Sequence, residues 1–274
     1  MKKIIAVFDG YRISKSTLAY AEEFAYTTDA HLVGVFMDEA AFRNPKPARA
    51  AEAKPKAGVD PDKGKNEMAF KKFEESCNKA KIQFSVRRDK ALNLLDLKHE
   101  SMFADLLIIS EQEIAARYKQ KSPSRFIKEL LTDVQCPVMI VPSVYKPIDK
   151  VTLLYDGAPS SLYAIQMFSY LFDDYNEIPV EVFVVKDRTD WNLRLPDNTL
   201  MREFIKRHYP KASYKVVKGD AEEQITGYLR NHQENEMVVL GAYRRSELSR
   251  WFKSSMADVL MSELDTPLFI AHNK

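Results

Sequence analysis

Two Asp-Gly pairs are the first candidates for binding a small molecule: Asp9-Gly10 and Asp156-Gly157. Each pair follows an apolar, β-prone run of five residues. A glycine after a strand lets the backbone approach a ligand closely, and the N-terminus of a following helix attracts anions through free N–H groups and its dipole. An Asp in this place is also common in turns and helix caps. The pairs therefore indicate either anion-binding loops or structural turns.

A second group of candidates lies in a basic and aromatic segment late in the sequence. Gly241 opens the segment after an apolar run, and Ser254 and Ser255 precede an amphipathic run. The cations between them are Arg244, Arg245, Arg250 and Lys253. They could bind a phosphate, a nucleotide or an acidic partner surface. The alternative is a solvated loop anchored by Trp251 and Phe252, and both can hold because a packed anchor leaves the arginines free to point outward.

Other chemistry has little support in the residue pattern. The five histidines lack metal-ligand spacing, and Cys77 and Cys136 form neither a disulfide framework nor a metal cluster. The phosphate-binding P-loop, the GxGxxG fingerprint and the GxSxG nucleophile elbow are all missing from the sequence. We therefore predict reduced, buried cysteines, no metal and no catalytic activity.

Length and charge limit the class of protein further. The 274 residues and 45% hydrophobic content suffice for two domains. The formal net charge of +2 gives no pull toward nucleic acid or an acidic membrane surface. The apolar runs are far shorter than a membrane span. We expect a cytoplasmic protein with neither a nucleic-acid nor a membrane partner.

The chain repeats itself once. The segment 4–25 resembles 151–172. The segment 134–142 resembles 264–272, and both of these have a Pro before their final apolar run. Strand and helix patterns alternate within each half, which is typical of a parallel sheet covered on both faces. Strands are predicted near 4–8, 31–36, 82–87, 105–109, 138–141, 151–155, 180–185, 213–218, 237–241 and 268–271. Helices are predicted near 15–27, 65–80, 92–102, 124–133, 159–172, 197–208, 221–232 and 254–264.

Two segments interrupt this alternation. Residues 45–65 are rich in Pro, Ala and Lys, and we expect a mobile insertion there because it holds almost no large apolar residue. A Pro-punctuated linker at 141–150 marks the domain boundary. We therefore predict domains at 1–146 and 147–274.

The repeated Asp-Gly unit, the late loop after Gly241 and the closing Thr-Pro strand resemble a tandem universal stress protein of the UspA-like family. The resemblance covers nearly the whole chain apart from 45–65. It implies two tandem five-stranded parallel-sheet domains of the adenine nucleotide alpha hydrolase-like type, with helices on both faces. Many members of that family bind ATP through a late loop of glycines followed by Ser or Thr, and an Asp after the first strand contacts the adenosine.

The resemblance implies a nucleotide site in the second half. Arg244 and Ser254 occupy two of the three glycine positions of the family loop, and Ser255 occupies the hydroxyl position. The implied site, which would bind ATP or AMP, comprises Asp156, Gly157, Val184, Gly241, Arg244, Ser254 and Ser255. Arg244 could replace lost N–H contacts with its guanidinium charge, and the serines could cap the following helix.

The first half departs further from the family loop. Its aligned positions are Ser110, Glu113, Pro123 and Ser124, so no glycine remains. Pro lacks a backbone donor and Glu113 would repel a triphosphate. We expect this half to bind no nucleotide in the family manner and to serve as the structural partner of the second half.

Function and partners follow from the same resemblance. It implies a non-enzymatic stress-response protein whose two domains form an intramolecular pseudo-dimer, with a homodimer as a further option. An interaction or scaffold protein with decayed nucleotide sites is the alternative. A nucleotide-using enzyme is a third reading, which rests on fold analogy alone.

Overall fold

The computed structural model describes residues 1–10, 12–43, 45, 63–87, 92–173, 177–231, 235–241 and 255–271, with backbone alone for 63–66. The chain divides into two compact units. The first unit is Met1–Cys136 with Val141–Tyr145, and the second unit is Pro137–Ile140 with Lys146–Lys274. The predicted insertion at 45–65 lies outside the described residues except for Pro45 and the start of one helix.

The first unit is a parallel sheet with helices. Its elements are β1 (Lys3–Asp9), α1 (Lys15–Thr27), β2 (His31–Met37), α2 (Glu39–Arg43), α3 (Lys63–Ala80), β3 (Phe84–Arg87), α4 (Leu94–Ser101), β4 (Leu106–Ile109), α5 (Glu111–Arg117) and α6 (Arg125–Asp133). The strands lie in the order β3-β2-β1-β4, and every neighbouring pair is parallel. β1 and β4 are buried along nearly their whole length, as expected of a sheet covered on both faces.

The second unit repeats this arrangement. Its elements are β5 (Val138–Ile140), β6 (Lys150–Leu154), α7 (Pro159–Leu171), β7 (Val180–Lys186), α8 (Asn198–His208), β8 (Ser213–Lys218), α9 (Ala221–Asn231), β9 (Glu236–Gly241), α10 (Met256–Glu263) and β10 (Leu268–Ala271). The five strands of the second half lie parallel in the order β10-β9-β6-β7-β8. β5 pairs with β10 antiparallel, so the last strand of the first repeat belongs to the second unit.

The predicted α/β class is confirmed, and each predicted strand and helix has a counterpart. The prediction missed α2 and α5, which have five and seven residues. Helices of one to two turns are too short to display a repeating apolar face. In the described ranges, no helix is long and apolar enough to cross a membrane.

The strand order creates a switch point in each unit. From β1 the chain moves to β2 and β3 on one side, and it returns to place β4 on the other side of β1. From β6 it moves to β7 and β8, and it returns to place β9 on the other side of β6. Ligands in open parallel sheets bind outside the carboxyl ends of the strands at such a reversal. The segments that follow β1, β4, β6 and β9 therefore define the candidate sites.

Candidate functional site

The first unit has a cavity of about 450 Å³ at its switch point. The ends of β1 and β4 contribute Asp9 and Ser110 to the lining, and α1 contributes Thr17. Phe42, next to the end of α2, forms part of the apolar wall and is itself buried. This volume lies within the range of small-molecule pockets.

Asp9 is bound by two side chains that follow β4 in the sequence. Its Oδ2 accepts a hydrogen bond of 2.5 Å from the Tyr118 hydroxyl and lies 2.5 Å from Nη1 of Arg117. Burial raises the pKa of Tyr118, and the Asp9 carboxylate raises it further, so the phenol remains a donor at neutral pH. The carboxylate is thus engaged by the protein itself.

The N-terminus of α1 is closed by side chains as well. Ser14 is the N-cap, and its Oγ accepts a 3.0 Å hydrogen bond from the backbone N–H of Thr17. The same hydroxyl donates to Oε1 of Glu113 at 2.7 Å. Burial raises the pKa of Glu113, and the Ser14 hydrogen bond lowers it. A carboxylate therefore stands where an anion would otherwise approach the helix dipole.

Glu111 fixes the segment between α5 and α6. Its carboxylate accepts hydrogen bonds from the backbone N–H of Ser124 and from the Ser124 hydroxyl, the latter at 2.7 Å. Ser124 in turn caps α6 by accepting from Ile127 N. Burial is the main reason that the pKa of Glu111 is raised to about 7. The aligned position Ser124 is therefore a structural cap in this unit.

Sequence reasoning missed Arg117 and Tyr118. They lie 108 and 109 positions after Asp9, and no spacing rule connects them. The one available signal is an Arg-Tyr pair shortly after a buried strand, which by itself indicates no partner. Only the placement of β4 beside β1 brings these side chains to Asp9.

In the second unit, Asp156 accepts hydrogen bonds from residues at the start of α7. Its Oδ1 accepts hydrogen bonds from the backbone N–H of Ala158 at 2.9 Å and from the Ser161 hydroxyl at 2.6 Å. The neighbouring Gly157 has φ +84°, and a Cβ there would lie 2.7 Å from Cβ of Pro196. Both the backbone conformation and the close approach of Pro196 require glycine.

Gly241 contacts the backbone of the same helix. A Cβ on Gly241 would lie 2.8 Å from the nitrogen of Ser161 and closer still to the carbonyl of Ser160. The absence of a side chain therefore allows β9 to pack against α7. Val184 is fully buried in β7, where it pairs with Val216 of β8.

Ser255 is the N-cap of α10. Its hydroxyl oxygen is buried and has no hydrogen-bond partner among the described residues. Arg244 and Ser254, with the rest of the basic segment 242–254, lie outside the described residues. The structure therefore brings Asp156, Gly157 and Gly241 together around the start of α7 and places Val184 inside the sheet.

A smaller cavity of about 210 Å³ adjoins Asp156. Among its lining residues are one cation, Lys186, and four carboxylates: Asp156, Asp187, Asp190 and Asp220. Asp187 accepts hydrogen bonds from the N–H and hydroxyl of Thr189, so it is engaged in a local turn. In the part of the chain that the structure describes, no group of three or more His, Cys, Asp or Glu side chains is placed to hold a metal ion.

Solved structures of other proteins share this fold. A universal stress protein from Archaeoglobus fulgidus DSM 4304 matches with a TM-score of 0.70 and 13% identity, covering 99% of this chain and 98% of its own. A functionally unknown protein from Pseudomonas aeruginosa PAO1 matches with a TM-score of 0.63 and 13% identity, covering 98% and 92%. No protein-family model and no curated protein matches the sequence. The chain therefore has, over its whole length, the fold of a universal stress protein.

Proposed function

We propose that this chain is a non-enzymatic universal stress protein that binds ATP or AMP in its second unit. The observation that carries the proposal is the strand order of that unit. It places Asp156 just beyond the carboxyl end of β6 and Gly241 at the carboxyl end of the adjacent β9, at a switch point where nucleotides bind in sheets of this type.

The residues around this switch point support a site made of two parts. Asp156 and Lys186 both line the small cavity, and Gly157 follows Asp156 in the sequence. Ser255 forms the other part of the site. It is the N-cap of α10, and its hydroxyl has no hydrogen-bond partner within the described ranges. A helix N-terminus favours a phosphate through its N–H groups and dipole. In this proposal Arg244 and Ser254 supply further phosphate contacts, and Val184 supports the wall from within the sheet.

Charged side chains make the first unit a poorer nucleotide site than the second. Asp9 is already paired with Arg117 and Tyr118. Glu113 accepts a hydrogen bond from Ser14, the N-cap of α1, and so places a carboxylate at the N-terminus of that helix. A phosphate at the N-terminus of α1 would meet the Glu113 carboxylate, whereas in the second unit the phosphates are proposed at Ser255, which does not line the acidic cavity beside Asp156. We therefore propose one nucleotide site per chain.

Calorimetry on matched variants tests this proposal. The full chain is titrated with ATP and with AMP, beside Ser255→Ala in the second unit and Asp9→Ala in the first. We expect one site, weakened several-fold by Ser255→Ala because a charge-assisted hydrogen bond is lost, and unchanged by Asp9→Ala. Two equivalent sites, or loss of binding in Asp9→Ala alone, would contradict it. Mass spectrometry of nucleotide released from the purified protein gives an independent check.

One observation favours the alternative of an interaction protein. Trp191 is 95% exposed, and Leu200 at the start of α8 is 70% exposed. Exposed aromatic and aliphatic side chains are common anchors of protein interfaces. If neither ATP nor AMP binds, we propose the interaction protein instead. Trp191→Ser should then abolish binding of any protein partner that the full chain captures.

A further inference from the structure

The cavity of the first unit contains two buried hydroxyl groups without a partner. Thr17 on α1 is 0% exposed and Ser110 after β4 is 3% exposed, and both residues line the cavity. Within the described part of the chain, neither hydroxyl oxygen makes a hydrogen bond. Buried polar groups are nearly always paired, and leaving one unpaired is costly. Two such groups at one cavity indicate that something else completes them.

The charges around the cavity limit what that molecule can be. Two basic and two acidic side chains belong to the lining: Arg12, Arg117, Asp9 and Glu113. Arg117 pairs with Asp9, and Ser14 donates to Glu113. The lining therefore offers no net charge to a ligand. A strong anion would have to compete with Asp9 for Arg117 or rely on Arg12, which is exposed to screening by solvent.

The remaining lining is apolar and partly aromatic. Phe8, Phe42, Ile109 and Ile114 contribute to it, and all four are buried. Phe42 stacks on Tyr118 with ring centroids 5.6 Å apart, so the wall is held rigidly. A rigid apolar wall with a few polar groups is the usual make-up of a small-molecule pocket.

We propose that the cavity of the first unit binds a small uncharged molecule with an apolar body and one hydrogen-bonding head. The head, a hydroxyl or amide, bonds to Thr17 and Ser110, and the body lies against Phe42 and Ile109. This site differs from the nucleotide site of the second unit in place and in ligand chemistry. Its presence does not depend on whether the second unit binds ATP.

Ligand-observed NMR on the full chain tests the proposal with defined probes. Benzamide and benzyl alcohol represent the neutral class, and benzoate represents the anionic class. We expect saturation transfer to both neutral probes and much weaker transfer to benzoate. Thr17→Val and Ser110→Ala should each weaken benzamide about fivefold, since each removes one hydrogen bond. Ser262→Ala in the second unit is the control and should change nothing.

Thermal unfolding without ligand separates binding from structure. If the hydroxyls serve only the fold, Thr17→Val and Ser110→Ala should lower Tm and leave benzamide affinity unchanged, which would overturn the proposal. We expect an unchanged or higher Tm, because each variant removes an unpaired buried hydroxyl. Failure of both neutral probes to bind, or equal binding of benzoate, would also overturn it. ATP added to benzamide-bound protein should not displace the probe, whatever happens in the second unit.

Discussion

Asp9 and Asp156 hold the same position in the two sequence repeats but bind different partners. Asp9 pairs with Arg117 and Tyr118, which follow the fourth strand of its unit. Asp156 pairs with Ala158 and Ser161, only two and five residues further along the chain. One Asp links two distant segments across the switch point, and the other organises the start of its own helix.

This difference goes with a difference in the space around the two switch points. In the first unit the Asp9 contacts hold α5 against the strand ends, and a cavity lined by Thr17 and Ser110 remains. In the second unit Gly241 stands at the position aligned with Ser110, and α7 packs directly on it. In the second unit, the missing side chain at Gly241 therefore permits the close approach of α7.

The largest effect is expected from exchanging these two residues. Gly241→Ser would force a Cβ into the backbone of Ser160 and Ser161, so strands or helix must shift, at a cost of about 3 kcal/mol. Ser110→Gly should cost about 1 kcal/mol or less, since it removes only a small side chain. Urea unfolding of both variants measures the difference. Equal costs would mean that the close approach at Gly241 is not required.

A pH-dependent effect of similar size is expected in the first unit. The pKa of Glu111 is raised to about 7 from its usual 4.5, chiefly by burial. A raised pKa means that its contribution to stability is fully present below about pH 4.5 and declines as pH rises through 7. Between pH 4.5 and about 7, the unfolding free energy of Glu111→Gln should therefore rise relative to that of the parent by an amount on the order of 3 kcal/mol.

Unfolding free energies at pH 4.5, 6 and 8 measure this gain. Glu75→Gln, on the exposed face of α3, is the matched control and should follow the parent at every pH. If Glu111→Gln also runs parallel to the parent, the carboxylate is ionised throughout. The pH dependence would then have to originate outside the α5–α6 segment.

The comparison of Asp9 with Asp156 can be sharpened by double-mutant cycles. Asp9→Asn and Tyr118→Phe should show a coupling of about 1.5 kcal/mol, because the hydrogen bond joins a charged acceptor to a buried donor. Asp156→Asn with Tyr118→Phe should show none. Unfolding free energies of the single and double variants give both values. Coupling of similar size in the two cycles would show that it does not arise from the direct contact.

The smallest effect is expected at Asp156 itself. Asp156→Ala removes the acceptor for the Ala158 N–H and for the Ser161 hydroxyl and should cost about 1 kcal/mol, the usual net contribution of a hydrogen bond. Asp156→Ser keeps a side-chain oxygen and should recover part of this loss. Hydrogen exchange at the first amides of α7 reports the effect locally. Identical behaviour of the Ala and Ser variants would indicate that the carboxylate charge, rather than the hydrogen bond, matters.

Local pattern was sufficient for most of the elements. Runs such as 237–240 are long and apolar enough to indicate a buried strand, and the repeat of 4–25 in 151–172 indicated two similar units. The pattern did not reveal α5, which is too short to show helical periodicity. The strand at 138–141 lies in the first sequence repeat, and its pairing with β10 places it in the second unit. Pairing with β10 is a long-range choice that no local spacing encodes.

The sequence alone determined the fold class, the repeat and the position of Asp9, Asp156 and Gly241 at strand ends, because these depend on local periodicity and on turn residues. Only the tertiary structure decided what those residues contact. Tyr118 reaches Asp9 because β4 lies beside β1, and Ser161 reaches Asp156 because α7 begins there. The cavity of the first unit depends on the distance between α1, β1 and β4, which packing sets and which no spacing in the sequence records.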